Sequence, residues 1–430
     1  MRNLQILLSL VLLADAGTAC LAAENADLAK KNAELQQRVE RLDKELEALR
    51  KDVTQSSGSA GSPAPKPVWS SLDIQLYGYL KLDAAYDSSR IDNGNYAKWV
   101  ERENTNSDDD QFNMTANETR LGMLINGPDD GVTKASGRVE VDFYEGGAEN
   151  KPRLMMRHAY MKLDWPADRF SIIAGQTSDV ISPLWPSTLN YTVGWWTGNI
   201  GYRRPQIRLT KQYDVGPQDD LKLEGALART IGRDSVSGTD SGEDSGLPSV
   251  QARASMSIPL LVGTEASTVG ISGHIGQEEY DITTGGRNKE FTSWSLNLDL
   301  TQPVNKWLSL KSEVFTGENL DAYLGGIGQG VTTAAPNQYE EIGSKGGWIG
   351  AGLGPWDKAR FNVGLGMDDV ERGNVNAGGR TLNQSVFGNV FYSLNKNTEW
   401  AVELSHWRTE YRGSGDGDSL RAQTALIYRF

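Results

Sequence analysis

The sequence predicts an all-β transmembrane protein, an antiparallel outer-membrane β-barrel of about sixteen strands with an N-terminal periplasmic coiled-coil helix. Three observations predict this fold. Apolar and polar residues alternate in many segments beyond residue 72, the chain ends on an aromatic residue, and short turns alternate with longer polar segments. Alternation gives a strand one face for hydrocarbon and one face for water, which is the pattern of a transmembrane barrel wall.

The net charge and the apolar content narrow the class further. The chain of 430 residues carries a net charge of −13, which argues against a nucleic acid partner because phosphate binding requires a basic surface. Apart from its extreme N-terminus, the chain has no apolar run near the roughly 20 residues that a spanning helix requires. If the chain crosses a membrane, it therefore does so as a closed barrel.

Residues 1–23 have the order of a secretory signal peptide, with Arg2, an apolar stretch over residues 4–14 and small residues near the end. Cys20, the one cysteine of the chain, lies in this segment. Residues 17–20 resemble a bacterial lipoprotein cleavage site without its usual leucine, whereas cleavage just after residue 22 or 23 would remove the thiol. In either case no intrachain disulfide can form.

Residues 24–53 carry a heptad repeat. Leucine recurs every seven residues from Leu28, and a second set of mostly apolar positions follows each leucine by four. This seam predicts a coiled coil, because a lone helix would leave the leucine stripe in water. Residues 38–43 resemble the pattern of short parallel trimers, with opposite charges at their two ends. The predicted trimerisation residues are Asn32, Leu35, Arg38, Val39, Leu42, Asp43, Leu46 and Leu49.

Residues 54–71 are rich in Ser, Gly, Ala and Pro, which predicts a flexible linker. Over residues 72–430 the hydrophobic period changes to two, and this region is the predicted barrel. Its last strand ends on Tyr428 and Phe430. We interpret these two aromatic residues as the signal that the barrel-assembly machinery reads.

The connections between the alternating segments predict the strand count. Seven tight turns, such as residues 165–168 and 395–397, alternate with eight longer polar loops. Short turns at one rim and long loops at the other are typical of outer-membrane barrels. Because the strand count is even, both ends of the barrel lie at the rim with the short turns, and the coiled coil is predicted in the periplasm.

A barrel of this size encloses an aqueous channel unless a segment folds into it. The predicted obstruction runs from Thr177 to Tyr202, because this segment is too aromatic for a solvated loop tip. It carries Asp179, Trp185 and Asn190. Alternatively, its tryptophans join the aromatic girdle at the membrane interface.

Arginines are predicted on the lumen side near this segment. Arg120, Arg138 and Arg208 have lumen-facing parity, and Arg203 and Arg204 begin the strand that follows the segment. Guanidinium groups that face its aspartate would create a transverse field and offer paired donors to carboxylates. Acidic residues of the same wall could instead neutralise them, so the sign of the charge preference stays open at this point.

Arg157 departs from the alternation, since it shares parity with positions that face lipid. A cation facing lipid at mid-depth would cost roughly 2 to 4 kcal/mol. The residue is therefore predicted to lie near the rim, on a bulge or in a subunit interface.

The sequence resembles the DcaP-like porins over nearly its whole length. The resemblance rests on residues 76–83, 175–177, 186–190 and 203–208, together with the heptads. It implies a trimeric outer-membrane channel with a periplasmic coiled-coil extension. It also implies passage of small anions, including dicarboxylates and aromatic acids.

The expected function is passive diffusion of small hydrophilic solutes, with small anions favoured. The expected partners are further copies of the chain in a homotrimer, outer-membrane lipid and lipopolysaccharide, the barrel-assembly machinery and small anionic solutes. Two alternatives stay open: a sugar-selective porin, suggested by 12 Trp and 15 Tyr, and a barrel that anchors the envelope. No enzyme, metal or cofactor is expected, because the histidines lie far apart without a nucleophile motif and the acidic loop over residues 88–117 lacks EF-hand spacing.

Overall fold

The computed structural model describes residues 73–103, 109–144, 152–216, 220–231, 243–258, 266–283, 287–335 and 338–430, together with Arg38, Arg41 and Lys44. The chain divides into two units, Met1–Ser70 and Ser71–Phe430. In the first unit the three described residues are helical and exposed. The predicted signal peptide, the linker and the remaining trimerisation residues lie outside the described residues, namely Asn32, Leu35, Val39, Leu42, Asp43, Leu46 and Leu49.

The second unit is built from β-strands. The strands are β1 (Asp73–Asp87), β2 (Gln111–Thr115), β3 (Arg120–Asp129), β4 (Lys134–Asp142), β5 (Met155–Trp165), β6 (Phe170–Ser178), β7 (Arg203–Asp214), β8 (Asp220–Ala228), β9 (Ser249–Ile258), β10 (Ser267–Thr283), β11 (Arg287–Asn305), β12 (Leu308–Glu318), β13 (Val331–Ala335), β14 (Gln338–Glu341), β15 (Gly343–Trp356), β16 (Ala359–Val370), β17 (Arg380–Ser393), β18 (Thr398–Tyr411) and β19 (Gly417–Arg429). Two short 3₁₀ turns, Asp321–Tyr323 and Gly326–Gly328, follow β12. None of the helices that the structure describes is both long and apolar enough to cross a membrane.

The strands close into an antiparallel barrel. Each wall strand pairs with the next one along the chain, and β19 pairs with β1 in a register that sets Leu80 beside Tyr428. β2 and β3 both pair with β1 and form the two halves of one wall strand, while β13 and β14 form a separate hairpin. Counted over the described residues, the wall has sixteen strands, which confirms the predicted antiparallel barrel of about sixteen strands.

Side-chain exposure follows the predicted alternation. In β1, Lys81 and Asp83 are 4% and 3% exposed, whereas Leu80 and Leu82 are 51% and 47% exposed. The polar residues point into the barrel and the apolar residues point outward. This arrangement follows from the period of two, because it gives hydrocarbon an apolar surface and leaves charged groups in a polar interior.

The two rims differ as predicted. At one rim lie Asp73, Phe430 and the connections between Asp129 and Lys134, Trp165 and Phe170, Asp214 and Asp220, Ile258 and Ser267, Asn305 and Leu308, Trp356 and Ala359, and Ser393 and Thr398. The opposite rim carries most of the longer connections. Two connections at that rim are nevertheless short, between Thr283 and Arg287 and between Tyr411 and Gly417. At the first of these, β10 and β11 extend over 17 and 19 residues.

Aromatic residues mark the rim with the short turns. Trp165 stacks on Phe170 with ring centroids 5.5 Å apart, and Trp307 stacks on Trp356 at 6.2 Å. Trp307 and Trp356 are also among the exposed large side chains. Such rings form the interfacial girdle that flanks the apolar band of a barrel.

Arg157 lies on a β-bulge, one of the three positions predicted for it. The register between β4 and β5 shifts between Glu140 and Val141, so that His158 pairs with Glu140 while Met156 pairs with Val141. The extra residue turns the guanidinium inward, where it is 6% exposed. A bulge thus resolves the conflict between the alternation and the charge.

Candidate functional site

The connection between β6 and β7, residues 179–202, folds into the barrel and is called the inner loop below. Its backbone N–H groups donate to side chains of four separate wall strands, β9, β10, β12 and β18. Val180 donates to Gln251 Oε1 over 2.8 Å, and Leu184 donates to Glu313 Oε1 over 2.8 Å. These bonds carry the loop across the lumen, as predicted for the obstruction.

The far anchor of the inner loop is Leu189. Its N–H donates to Glu403 Oε2 over 2.6 Å. Its carbonyl accepts hydrogen bonds from Lys81 Nζ and Gln423 Nε2, each at 3.2 Å. The loop is therefore tied to β1, β18 and β19 as well as to β9 and β12.

Asn190 joins the inner loop to the connection after β1. Its Nδ2 donates to the carbonyl of Ala97 over 2.9 Å, and its Oδ1 accepts from the N–H of Ala97 over 3.0 Å. The side chain is 2% exposed. Asn190 therefore fixes two loops to each other.

Several residues of the inner loop have unfavourable backbone conformations, which the contacts of the loop hold in place. Ser182, Val193 and Trp196 have left-handed φ values of 43°, 47° and 64°, a region that is costly for side chains with a Cβ, above all for a β-branched one. At Gly198, with φ 103°, an added Cβ would lie 2.0 Å from the carbonyl oxygen of Gly347. The loop thus runs against the backbone of the wall.

Asp179 and Arg204 form a buried ion pair at the start of the inner loop. Arg204 Nε lies 2.9 Å from Asp179 Oδ1, and both side chains are 1% exposed. Gln251 Nε2 also donates to Asp179 over 2.8 Å. Asp179 is therefore not the free carboxylate that the predicted transverse field required, and Arg204 does not present a free charge to the lumen.

A second segment enters the lumen after β12. Tyr323 stacks on His274 with ring centroids 3.7 Å apart, and its ring lies 3.9 Å from the guanidinium carbon of Arg204. Its hydroxyl is 2.8 Å from Ser249 Oγ. Burial raises the pKa of Tyr323 above its ordinary value. Sequence reasoning missed this segment, since residues 320–324 show no periodic signal.

Arginines of β3, β4 and β5 share carboxylates of the same wall. Arg138 and Arg157 approach Glu140 at 2.6 Å and 2.8 Å, and Arg120 lies 3.6 Å from it. Arg157 also reaches Asp142 over 2.8 Å. Here the interleaved acids offset most of the positive charge, which is the neutralising arrangement that the sequence analysis left open.

A cavity of about 200 Å³ lies beside the inner loop, and its charged lining is predominantly positive. Four cations and two carboxylates line it. They are Arg203, Arg208, Lys222 and Arg253 with Asp179 and Glu224. Asp179 is already paired with Arg204, and Arg253 is paired with Asp299. Arg203, Arg208 and Lys222 then face Glu224 alone, which leaves an excess of positive charge. Lys222 and Arg253 were not predicted as site residues. Like Arg138, each lies on the inward face of its strand, so the alternation of those strands could have identified them.

Trp185 separates this cavity from a smaller one of about 80 Å³. The indole is 46% exposed within the barrel. Lys311, Ser309 and Asn362 line the smaller cavity. Trp195 and Trp196 also lie in the inner loop, so the three tryptophans of this segment belong to the lumen and not to the interfacial girdle.

The histidines have separate, ordinary partners. His158 Nδ1 lies 3.1 Å from Thr177 Oγ1, His274 Nδ1 lies 2.7 Å from Ser295 Oγ, and His406 Nε2 lies 3.2 Å from Asp418. Within the described part of the chain, no group of three or more His, Cys, Asp or Glu side chains is placed to hold a metal ion.

A closed antiparallel barrel whose lumen is narrowed by an inner loop defines an outer-membrane channel of the porin class. A family model described as DcaP outer membrane protein matches residues 11–239. The chain belongs to this family, and its place is the outer membrane. No curated protein matches the chain in sequence.

Solved barrels share the fold at low sequence identity. The outer membrane channel DcaP of Acinetobacter baumannii is similar with a TM-score of 0.68 and 19% identity, covering 86% of this chain and 100% of that one. An anion-selective porin from Comamonas acidovorans gives 0.52 and 12%, covering 84% and 100%. OmpF of Salmonella typhi gives 0.51 and 13%, covering 83% and 97%. At these identities the likeness shows the fold alone.

Proposed function

We propose that this protein is a passive outer-membrane porin that favours small anions, such as dicarboxylates or aromatic acids. The observation that carries the proposal is the cavity beside the inner loop, where four cations face two carboxylates. A lumen lined by one sign of charge raises the local concentration of counter-ions. The driving force is the solute gradient, and no cofactor takes part.

The chemistry of the cations supports carboxylates as the favoured anions. Guanidinium groups present paired N–H donors that match the two oxygens of a carboxylate. Arg208 and Lys222 are 14% and 36% exposed at their side chains, and both lie near Glu224, at 3.9 Å and 3.0 Å. Arg253 also lies 3.4 Å from Glu224. One carboxylate shared among three cations leaves positive charge for a passing solute.

The solute class is tested by uptake into liposomes that contain the purified protein. Succinate and benzoate are compared with putrescine, a dication of similar length to succinate. The proposal expects both anions to enter faster than putrescine at equal gradients. Faster entry of putrescine would contradict it.

A sugar-selective porin is the second candidate, and the exposed Trp185 favours it. An indole beside Ser309 and Asn362 offers a stacking face next to hydroxyl and amide groups, which suits a sugar ring. Block of the ion current by maltooligosaccharides, but not by succinate, would favour this candidate. A barrel that only anchors the envelope should carry no ion current at all.

We infer that the mature protein is a homotrimer joined by a periplasmic coiled coil over residues 24–53. Arg38, Arg41 and Lys44 are helical and exposed, as charged flanking positions of such a coil require. In this proposal residues 1–23 are removed on export and residues 54–71 form the tether. Tyr428 and Phe430, which are 47% and 48% exposed on the outer face, serve as the signal for the barrel-assembly machinery, and lipopolysaccharide surrounds the barrel.

A further inference from the structure

Glu313 of β12 ties the inner loop to the wall beside Trp185. Its Oε1 accepts a hydrogen bond from the N–H of Leu184 over 2.8 Å, and its Oε2 accepts one from Nε1 of Trp348 over 2.9 Å. Glu313 and Trp348 are 2% and 4% exposed. Hydrogen bonds to a carboxylate are stronger than bonds between neutral groups, and water cannot replace a lost partner at a buried site. The carboxylate therefore fixes the backbone of Leu184 to the wall.

The backbone beside this anchor is stiff. Pro183 and Pro186 enclose Leu184 and Trp185. A proline fixes its own φ and restricts the residue before it to an extended conformation, so Pro186 limits the backbone of Trp185 directly. A short, stiff segment that is anchored at one residue carries the next residue with it. The position of the Trp185 indole therefore depends on the bond between Glu313 and Leu184.

Trp185 lies at the boundary between two cavities of the lumen. Among the described residues, it alone lines both the cavity of about 200 Å³ and the one of about 80 Å³. Trp348, the other partner of Glu313, lines the smaller cavity as well. The side chain of Trp185 is 46% exposed, so it is in contact with the solvent of the lumen. Because the indole carries no charge, it restricts solutes by their size and not by their sign.

We propose that Glu313 is a positioning residue that holds Trp185 in place as a size filter of the channel. Without the carboxylate, Leu184 loses its anchor and the indole is free to leave the boundary, which joins the two cavities into one path. The proposal rests on the passive diffusion proposed above. It adds a limit on solute size that is separate from the preference for charge.

The experiment measures which neutral polyethylene glycols enter the channel in planar bilayers. Polymers that enter lower the single-channel conductance and larger ones do not, so a graded series gives a size limit that is independent of charge. Trp185→Ala should raise this limit because it removes the indole. Glu313→Leu removes both acceptor oxygens and should raise the limit as well. Glu313→Gln keeps one acceptor oxygen and should raise the limit less.

Glu318→Leu is the matched control. Glu318 lies on the same strand and accepts a similar bond from Nε1 of Trp294 over 3.0 Å, but both side chains are on the outer face of the barrel. This variant should keep the size limit of the wild type. An equal rise in the two leucine variants would overturn the proposal, because the effect would then come from the strand and not from the inner loop.

The double variant of Trp185→Ala with Glu313→Leu tests whether Glu313 acts through the indole. Its size limit should equal that of Trp185→Ala alone, whereas a further rise would show a general role in the wall and overturn the proposal. Trp185→Ala changes an exposed side chain and guards against failure of the Glu313 variants to fold, since an unchanged limit in it would overturn the filter by itself. Cation preference of the wild type in KCl is a separate result, and it would overturn the proposed function instead.

Discussion

The Nε atom of Arg204 lies 2.9 Å from Oδ1 of Asp179 in a pair whose side chains are each 1% exposed. Asp179 begins the inner loop and Arg204 belongs to the strand that follows it, so the pair closes the base of the loop. Arg204 also donates to the carbonyl of Ala322 over 3.0 Å and lies under the ring of Tyr323. One ion pair thus connects both segments that enter the lumen.

Breaking this pair on one side should destabilise the barrel. Asp179→Asn leaves the buried guanidinium without its counter-charge, and removal of one partner of a buried pair costs about 3 to 5 kcal/mol. Denaturant unfolding in detergent micelles measures the change. The double variant Asp179→Leu with Arg204→Met should lie closer to the wild type, because no charge is left buried. Unfolding of Asp179→Asn at the wild-type midpoint would contradict this account.

A methyl group added at Gly366 should displace the inner loop. A Cβ there would lie 2.1 Å from the carbonyl oxygen of Thr197 in the loop, so Gly366→Ala should push the loop from the wall and alter the single-channel conductance. At Gly388 the same change meets its nearest atom, of Val363, at 3.7 Å, an ordinary contact. Gly388→Ala is therefore the control, and equal conductance of both variants would count against the loop position.

Neutralising a cavity cation should weaken anion preference. Lys222→Gln removes one of the four positive charges that line the cavity, so the reversal potential in a KCl gradient should move toward zero. Lys345→Gln removes an equal charge from a side chain that is 72% exposed near the start of β15. A shift of the same size in the Lys345 variant would show that the effect is one of net charge and not of the cavity.

The N-terminal region should affect the stability of the trimer but not the conductance of the channel. Deletion of residues 25–67 removes the proposed coiled coil and tether, so the trimer should dissociate at a lower temperature in detergent gels. The single-channel conductance should stay near the wild-type value, because the barrel and its inner loop are intact. Loss of the ion current together with an unchanged trimer would contradict both assignments.

The barrel wall could be predicted from the sequence because it depends on local pattern. The period of two decides which side chains face lipid, and it applies residue by residue without knowledge of distant contacts. Arg157 is the exception to the alternation, because its parity alone would turn its charge toward lipid. A bulge was one of the three positions predicted for it, and a register shift is found there.

The lumen could be predicted only in part, because its geometry depends on contacts between distant residues. Asp179 was identified as a loop acid, but its pairing with Arg204 and Gln251 joins residues 25 or more positions apart and has no local signature. Tyr323 entered no prediction for the same reason. Gly198 and Gly366 look like ordinary glycines until the loop and the wall are seen together.

The central claim is that a positively lined cavity makes this outer-membrane channel prefer anions. The most direct test is the reversal potential of the wild-type protein in a planar bilayer across a KCl gradient. We predict the sign of a channel that is more permeable to chloride than to potassium. A reversal potential of the opposite sign would contradict the account.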